Sequence, residues 1–289
     1  MILLLFILGL FIGSFLGVLV DRLPKNEGFI KGHSLCEFCK KELKVIDLIP
    51  VLSFIFAKGK CRYCHKTLSI AYPTIEISTG VLFALVYISQ IFNFQFSIFN
   101  EFLSINSLIF NPQSLITLIY NLLIVSGFIV IFFMDLKYGV ILNKILLPMI
   151  MIIIFYLLIL NPLPARIAMQ SVAGGSLIIN LACGASAFLF FLIVALGFKV
   201  IRGKEGMGGG DIKLAFVLGL FLGFPNIILA LYLAFLTAAV VGIILILWKK
   251  KNLENTSLPF GPFLILGALI CLFFGNLILL KLFPLIGLQ

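Results

Sequence analysis

Residues 1–20 read MILLLFILGLFIGSFLGVLV, twenty positions without one charged side chain. As a helix they cross the ~30 Å hydrocarbon layer of a bilayer, which takes roughly 20 residues. A signal peptide is the alternative, but no basic segment precedes the run and no Ala-x-Ala-like site follows it, so a retained span is expected. Gly9, Gly13 and Gly17 recur every four residues. That spacing either lines one helix face with small residues, for close approach of a second helix, or reflects ordinary membrane-helix composition. The rest of the 289 residues continue in kind, with 62% of the chain hydrophobic and 11% charged, against about 25% charged in an ordinary globular protein. Disordered, collagen-like and disulfide-scaffold classes are excluded: charges are few, no Gly-X-Y period exists, and only six Cys are present. An all-α polytopic membrane protein remains.

Outward from the first helix, residues 21–72 change character, with ten basic residues and four of the six cysteines. From residue 73 on, apolar runs predict spans near 73–92, 114–134, 141–160, 168–198, 212–224, 227–248 and 259–283, making eight with the first. The run at 212–224 is short and contains glycine. It reads as a helix shielded by its neighbours, or as one continuing into the next span through Phe224-Pro225-Asn226. The expected organisation is a first helix at 1–20, a cytoplasmic metal-binding insert at 21–72 and a seven-helix membrane region at 73–289. No internal repeat is apparent.

The formal charge of +10 would suit nucleic acid if read without its placement. Alternating sides along the eight spans puts nineteen of the 21 Lys and Arg with the insert and leaves Arg166 and Lys281 opposite. By the positive-inside rule the insert is then cytoplasmic, and the basic excess reports orientation rather than a nucleic-acid partner. Lys249-Lys250-Lys251 reads as an interfacial stop. Asn255-x-Ser257 is a glycosylation sequon on a side where modification is not expected.

Cys36-x2-Cys39 and Cys61-x2-Cys64 form two knuckles 21 residues apart. Two such turns present four sulfurs to one tetrahedral zinc ion in a closed structural site, able to fold a small insert that has no core of its own. Disulfides are the alternative, disfavoured on a reducing side. His33 and His65 flank the knuckles as bystanders, since four cysteines already satisfy zinc. Cys183 and Cys271, inside apolar runs, are expected to be small buried hydrophobes.

Acidic residues are scarce beyond Glu76: Glu101, Asp135, Glu205, Asp211 and Glu254. Asp135 ends the run Ile129-Val130-Ile131-Phe132-Phe133-Met134, and Asp211 follows Gly208-Gly209-Gly210. The topology sets both at the cytoplasmic ends of their spans. An ionisable group there is a functional candidate. Two carboxylates that meet can share one proton, one then acting as base toward water and the other as acid toward a carbonyl oxygen. Three glycines permit unusual conformations and close approach of a peptide backbone. The plainer alternative pairs Asp135 with Lys137 or Lys144 and makes Asp211 a helix cap. Lys213, two residues past Asp211, reads as a headgroup anchor or as a contact to an anionic group.

Taken together these segments resemble the type IV prepilin peptidases, whose members include late-competence processing enzymes. The resemblance rests on Gly13-Ser14-Phe15-Leu16 through Arg22-Leu23-Pro24, the cysteine segment with Gly59-Lys60, Ile49-Pro50, Tyr72-Pro73-x2-Glu76, Asp135, Gly208-x-Gly210-Asp211-x-Lys213-Leu214, and Pro259-Phe260-Gly261-Pro262-Phe263. The chain departs from the family pattern at Gly17, Glu37 and Leu142-Asn143. The resemblance implies a bifunctional enzyme of the bacterial cytoplasmic membrane, serving type IV pilus, type II secretion or competence systems. It removes the basic leader of prepilins or pseudopilins before their apolar helix, then N-methylates the new terminus with S-adenosylmethionine. It assigns Asp135 and Asp211 to catalysis, Cys36, Cys39, Cys61 and Cys64 to zinc, and Gly59, Lys60 and Glu76 to the methyl-transfer cofactor. The alternatives are a transporter or a membrane scaffold that binds partners through the zinc insert, and, among enzymes, an intramembrane protease of the GxGD type.

Overall fold

The computed structural model describes residues 1–28, 35, 36, 38–98, 112–160, 177–203, 207–248 and 259–282. Lys31, His33, Glu37, Glu101, Arg166, residues 168–176 of the fifth expected span, Lys204, Glu205, Lys249 to Lys251, Glu254 and the Asn255 sequon lie outside them.

The described residues are mostly helical, with no strand among them. In chain order they form α1 (Ile2–Arg22), a 3-10 turn (Val45–Leu48), α2 (Leu52–Phe56), α3 (Ala71–Ile98), α4 (Pro112–Tyr138), α5 (Asn143–Leu160), α6 (Leu177–Arg202), α7 (Gly209–Leu222), α8 (Asn226–Leu247) and α9 (Gly261–Leu282). Each of the eight apolar runs forms a helix among its described residues. Six of them, α1, α3, α4, α6, α8 and α9, are long and apolar enough to cross a membrane, whereas α5 and α7 are shorter.

The chain divides into two compact units, Met1–Met134 and Asp135–Gln289. In the first, α1 packs along α3, and the small-residue stripe is where they meet. A Cβ added at Gly13 would lie 2.7 Å from the Glu76 Cα, and one at Gly9 2.7 Å from the Gly80 Cα. Real Cβ atoms do not come so close, so only glycine lets the two backbones touch. The Gly-every-fourth pattern is therefore a packing device and not merely composition.

In the second unit α7 is the centre, packed by α5, α6, α8 and α9. Its Leu214, Ala215, Val217, Leu218 and Leu220 are fully buried. A helix apolar on every side belongs inside a bundle. Fourteen residues rise only about 21 Å, short of the hydrocarbon thickness, so the open carbonyls at its C-terminus need partners within the bundle. Asn180 of α6 supplies one, its Nδ2 donating to the Leu220 carbonyl at 3.0 Å, and the Gly223 N–H donates to the Gly219 carbonyl at 3.0 Å. The shielded reading of the short run is thus the one observed. Cys183 and Cys271 are buried, as small hydrophobes are expected to be, and the Cys271 thiol donates to the Asn226 carbonyl at 3.2 Å.

Candidate functional site

Asp135 sits in the last turn of α4, which closes at Gly139, whose N–H donates to the Asp135 carbonyl at 2.9 Å. Asp211 occupies the first turn of α7. Both side chains are buried, at 4% and 9% exposure, and they lie within electrostatic range of each other. The backbone N–H of Gly261, first residue of α9, faces both carboxylates. Asp135 Oδ2 is buried without a hydrogen-bond partner among the described residues. A buried carboxylate oxygen that no protein group satisfies marks a candidate functional site.

The plainer readings of these acids fare unequally. Among the described residues Asp135 makes no ion pair with Lys137 or Lys144. Asp211 does reach back to the backbone of Gly208, the residue capping α7, so it serves the helix terminus while it meets Asp135. The glycine run behaves differently from the expectation of unusual conformations. Gly208 is extended at φ −67°, Gly209 and Gly210 are helical, and none of the three has a positive φ. Their smallness is what the site uses. A Cβ on Gly210 would lie 2.8 Å from the Ile141 Cβ, whereas one on Gly209 would meet nothing within 4 Å. Lys213 donates from Nζ to Asn143 Oδ1 at 3.1 Å.

Gly261 and Ile141 are the site residues that sequence reasoning did not single out. A Cβ at Gly261 would stand 2.5 Å from Asp135 Oδ2 and 3.1 Å from Ile141 Cδ1. The only available signal was the Pro-Phe-Gly-Pro-Phe turn at 259–263, which carries no ionisable group and so advertises no chemistry.

In the insert, the sulfurs of Cys36, Cys39, Cys61 and Cys64 lie within 4.8 Å of one another, and Cys36 Sγ to Cys64 Sγ is 3.9 Å. All six cysteines of the chain are free. Four thiolates on a tetrahedral zinc at 2.3 Å would stand about 3.8 Å apart, so the four residues are positioned to hold a metal ion. His65 is exposed and outside this group.

The two knuckles are copies. The bridges Leu35 to Glu42 and Lys60 to Thr67 fall twenty-five residues apart. Cys36 N–H donates to Lys41 O at 3.0 Å and Lys40 N–H to Cys36 O at 2.9 Å; Cys61 with Lys66 and His65 with Cys61 repeat both bonds at 2.9 Å. Lys40 and His65, equivalent positions, share a φ near 55°. The copies then exchange side chains: Lys41 Nζ stands 4.6 Å over the Tyr63 ring, and Lys66 Nζ 4.9 Å over the Phe38 ring. This repeat was invisible in sequence because the eight-residue copies share only two cysteines and one lysine. The Tyr63 hydroxyl also donates to Asp47 at 3.1 Å, and Arg62 pairs with Asp47 at 3.4 Å. Desolvation first, then the Asp47 carboxylate, raises the Tyr63 hydroxyl above its ordinary pKa.

A cleft of about 520 Å³ lies between the knuckles and the ends of α1 and α3, within the size range of small-molecule sites. Asp21, Lys60, Tyr72 and Glu76 are on its wall. The Tyr72 hydroxyl donates to Asp21 at 2.7 Å, and Glu76 Oε2 accepts the Val51 N–H at 2.7 Å. Lys60 and Glu76 thus meet at one cavity. Gly59 does not line it; its φ of +69° is left-handed, and the Phe54 ring would lie 3.3 Å from a Cβ there. Glycine is needed to turn the chain from α2 into the second knuckle.

Residues 7–90 match the bacterial peptidase A24 N-terminal domain, and residues 122–243 match the type IV leader peptidase family. The four knuckle cysteines fall in the first match and both aspartates in the second. The chain is 31% identical over 279 residues to the prepilin leader peptidase/N-methyltransferase of Bacillus subtilis, covering 96% of each chain. It is 26% identical to the proteins of that name from Stutzerimonas stutzeri and Pseudomonas aeruginosa, covering 93% of this chain and 89% of theirs. No solved structure matches it significantly.

Proposed function

The chain belongs to the type IV leader peptidase family, and on that premise we propose that it cuts the leader from prepilin-like proteins and N-methylates the terminus it exposes. The observation that carries the first activity is the meeting of Asp135 and Asp211, from different helices, against the Gly261 amide. One carboxylate, ionised, takes a proton from a water molecule as that water adds to the scissile carbonyl; the other donates its proton to the carbonyl oxygen. Collapse of the tetrahedral adduct breaks the C–N bond, and the leaving amine carries away a proton. No acyl-enzyme forms. The open space at Gly209 admits the substrate backbone. An apolar groove of about 460 Å³ along α5, α6 and α7, with Lys213 and Asn143 on its wall, receives the apolar helix that follows the cut.

Both acids belong to helix ends rather than mid-membrane positions, which suits a cut beside the membrane and not a transporter's central ion site. The insert and both acids face the cytoplasm, the side that holds nearly all the Lys and Arg, in the bacterial inner membrane.

Methyl transfer belongs to the cleft of the first unit. S-adenosylmethionine bound there supplies an electrophilic methyl carbon. Lys60 and Arg62 offer positive charge and Asp21 and Glu76 negative charge around the cleft, a donor set that fits a zwitterionic cofactor. The four cysteines would hold zinc as a structural ion, which would order the insert and take no part in cutting.

The experiment is to incubate the purified, lipid-reconstituted protein with a synthetic prepilin and to sequence the product, with and without S-adenosylmethionine. The expected product begins just before the apolar helix and gains one methyl group only when the donor is present. Intact substrate overturns the peptidase assignment, and unmethylated product in both arms overturns the second activity alone.

A further inference from the structure

In the insert the short helix α2 has its polarity reversed. Phe54, with Ser53 and Ala57, turns toward the cleft. The other face, Leu52, Ile55 and Phe56 at helical spacing, is 51%, 60% and 80% exposed. Val45 and Ile46 of the neighbouring 3-10 turn are exposed too, and that turn packs against α2. A soluble surface rarely gathers so many large apolar side chains without something to bury them in.

The depth of this face is fixed by one hydrogen bond. Val51, which caps α2, donates its N–H to Glu76 Oε2 at 2.7 Å. Glu76 is the sixth residue of α3, about 7.5 Å from its start. The apolar span of α3 opens at Ala71, the first residue of the helix, so Glu76 lies within the first two turns of that span. The start of α2 is therefore held within about 7.5 Å of the end at which α3 enters the membrane, the depth of the headgroup and acyl boundary. Lys44 and Lys58, at either end of the apolar segment, are exposed, as basic residues are in elements that lie on anionic lipid.

We propose that α2 and the 3-10 turn form an interfacial anchor: Leu52, Ile55, Phe56, Val45 and Ile46 enter the headgroup and acyl boundary, and Lys44 and Lys58 meet anionic phospholipid. The anchor holds the cleft against the membrane surface, where an apolar substrate helix would present its terminus. It rests only on α3 spanning the bilayer, and it stands whether or not the cleft transfers methyl groups.

The test uses the full chain in nanodiscs of phosphatidylethanolamine and phosphatidylglycerol, with Trp248→Phe as background. Phe56→Trp should lose emission by about twofold or more when the lipids are brominated near the headgroup, as for an amphipathic side chain at the boundary. Glu42→Trp, in the first knuckle, should change little. Unquenched emission from Phe56→Trp overturns the proposal: red-shifted, the face is in water, and blue-shifted, a second chain or another protein covers it. The unaltered protein gives an independent reading. Photoactivatable phosphatidylglycerol should label the peptide containing residues 45–56, and absence of label there also overturns the anchor.

Discussion

In the insert, polar side chains are held by one another: Lys41 and Lys66 each lie over an aromatic ring of the other knuckle, Tyr63 and Arg62 converge on Asp47, and four sulfurs converge within 4.8 Å of one another. At the aspartate pair almost nothing of that kind is present. The carboxylates are fixed by where three helices begin or end, and their neighbours are a backbone amide, glycines and Ile141. The difference follows from the core each region has. α7 is packed on all sides and can place a side chain through backbone geometry alone, whereas an insert with no core must be cross-linked to have a shape.

The contrast should break most sharply at the acids. Asp135→Asn or Asp211→Asn is expected to lower leader cleavage by about 10²–10⁴-fold while metal content, read by elemental analysis, stays at the level of the unaltered protein. Cleavage retained by either variant would remove the pair from the mechanism. Next in size is Gly261→Ala, whose methyl group falls on Asp135 Oδ2. Displacing a reacting group by about 1 Å costs on the order of 100-fold, so cleavage should collapse while methylation of a pre-cleaved peptide continues.

Metal removal works from the other region. A chelator, or Cys36→Ser with Cys61→Ser, should abolish methylation and expose the insert to protease, with cleavage by the aspartates falling far less. Equal loss of both activities would mean that the two regions do not fold separately. Asn180→Ala should lower the thermal stability of the second unit by about 1 kcal/mol, the scale of a polar contact between membrane helices. The smallest effect belongs to Lys41→Ala, which removes one ring contact worth about 0.5–1 kcal/mol and should loosen metal retention two- to fivefold in competition with a chelator.

Much of this was legible in the chain because oil and charge are so unevenly spread. Eight apolar runs predicted eight helices, and α3, α4 and α8 begin and end within a few residues of the expectation except where α3 extends to Ile98. Cysteine spacing pointed to the metal cluster, and the scarcity of acids pointed to Asp135 and Asp211. What stayed hidden depends on surfaces meeting. Gly261 carries no side chain to suggest chemistry, yet its nearness to Asp135 makes its bareness essential. The knuckle repeat is a repeat of hydrogen bonds, not of residue types. Glu76 drew notice through a motif and a carboxylate, but its hold on Val51 spans twenty-five residues and fixes the level of α2.

The sequence by itself thus determined that the chain lives in a membrane, where its helices run, and which few groups can ionise or bind metal, because each follows from local composition under the cost of burying charge and unpaired backbone in lipid. Only the tertiary structure decided which of those groups meet. Contact between α1 and α3 at Gly13 depends on backbones approaching where a side chain is missing, and at Gly261 the Asp135 and Ile141 side chains take the room a Cβ would need; a missing side chain leaves no local trace of what will fill its place.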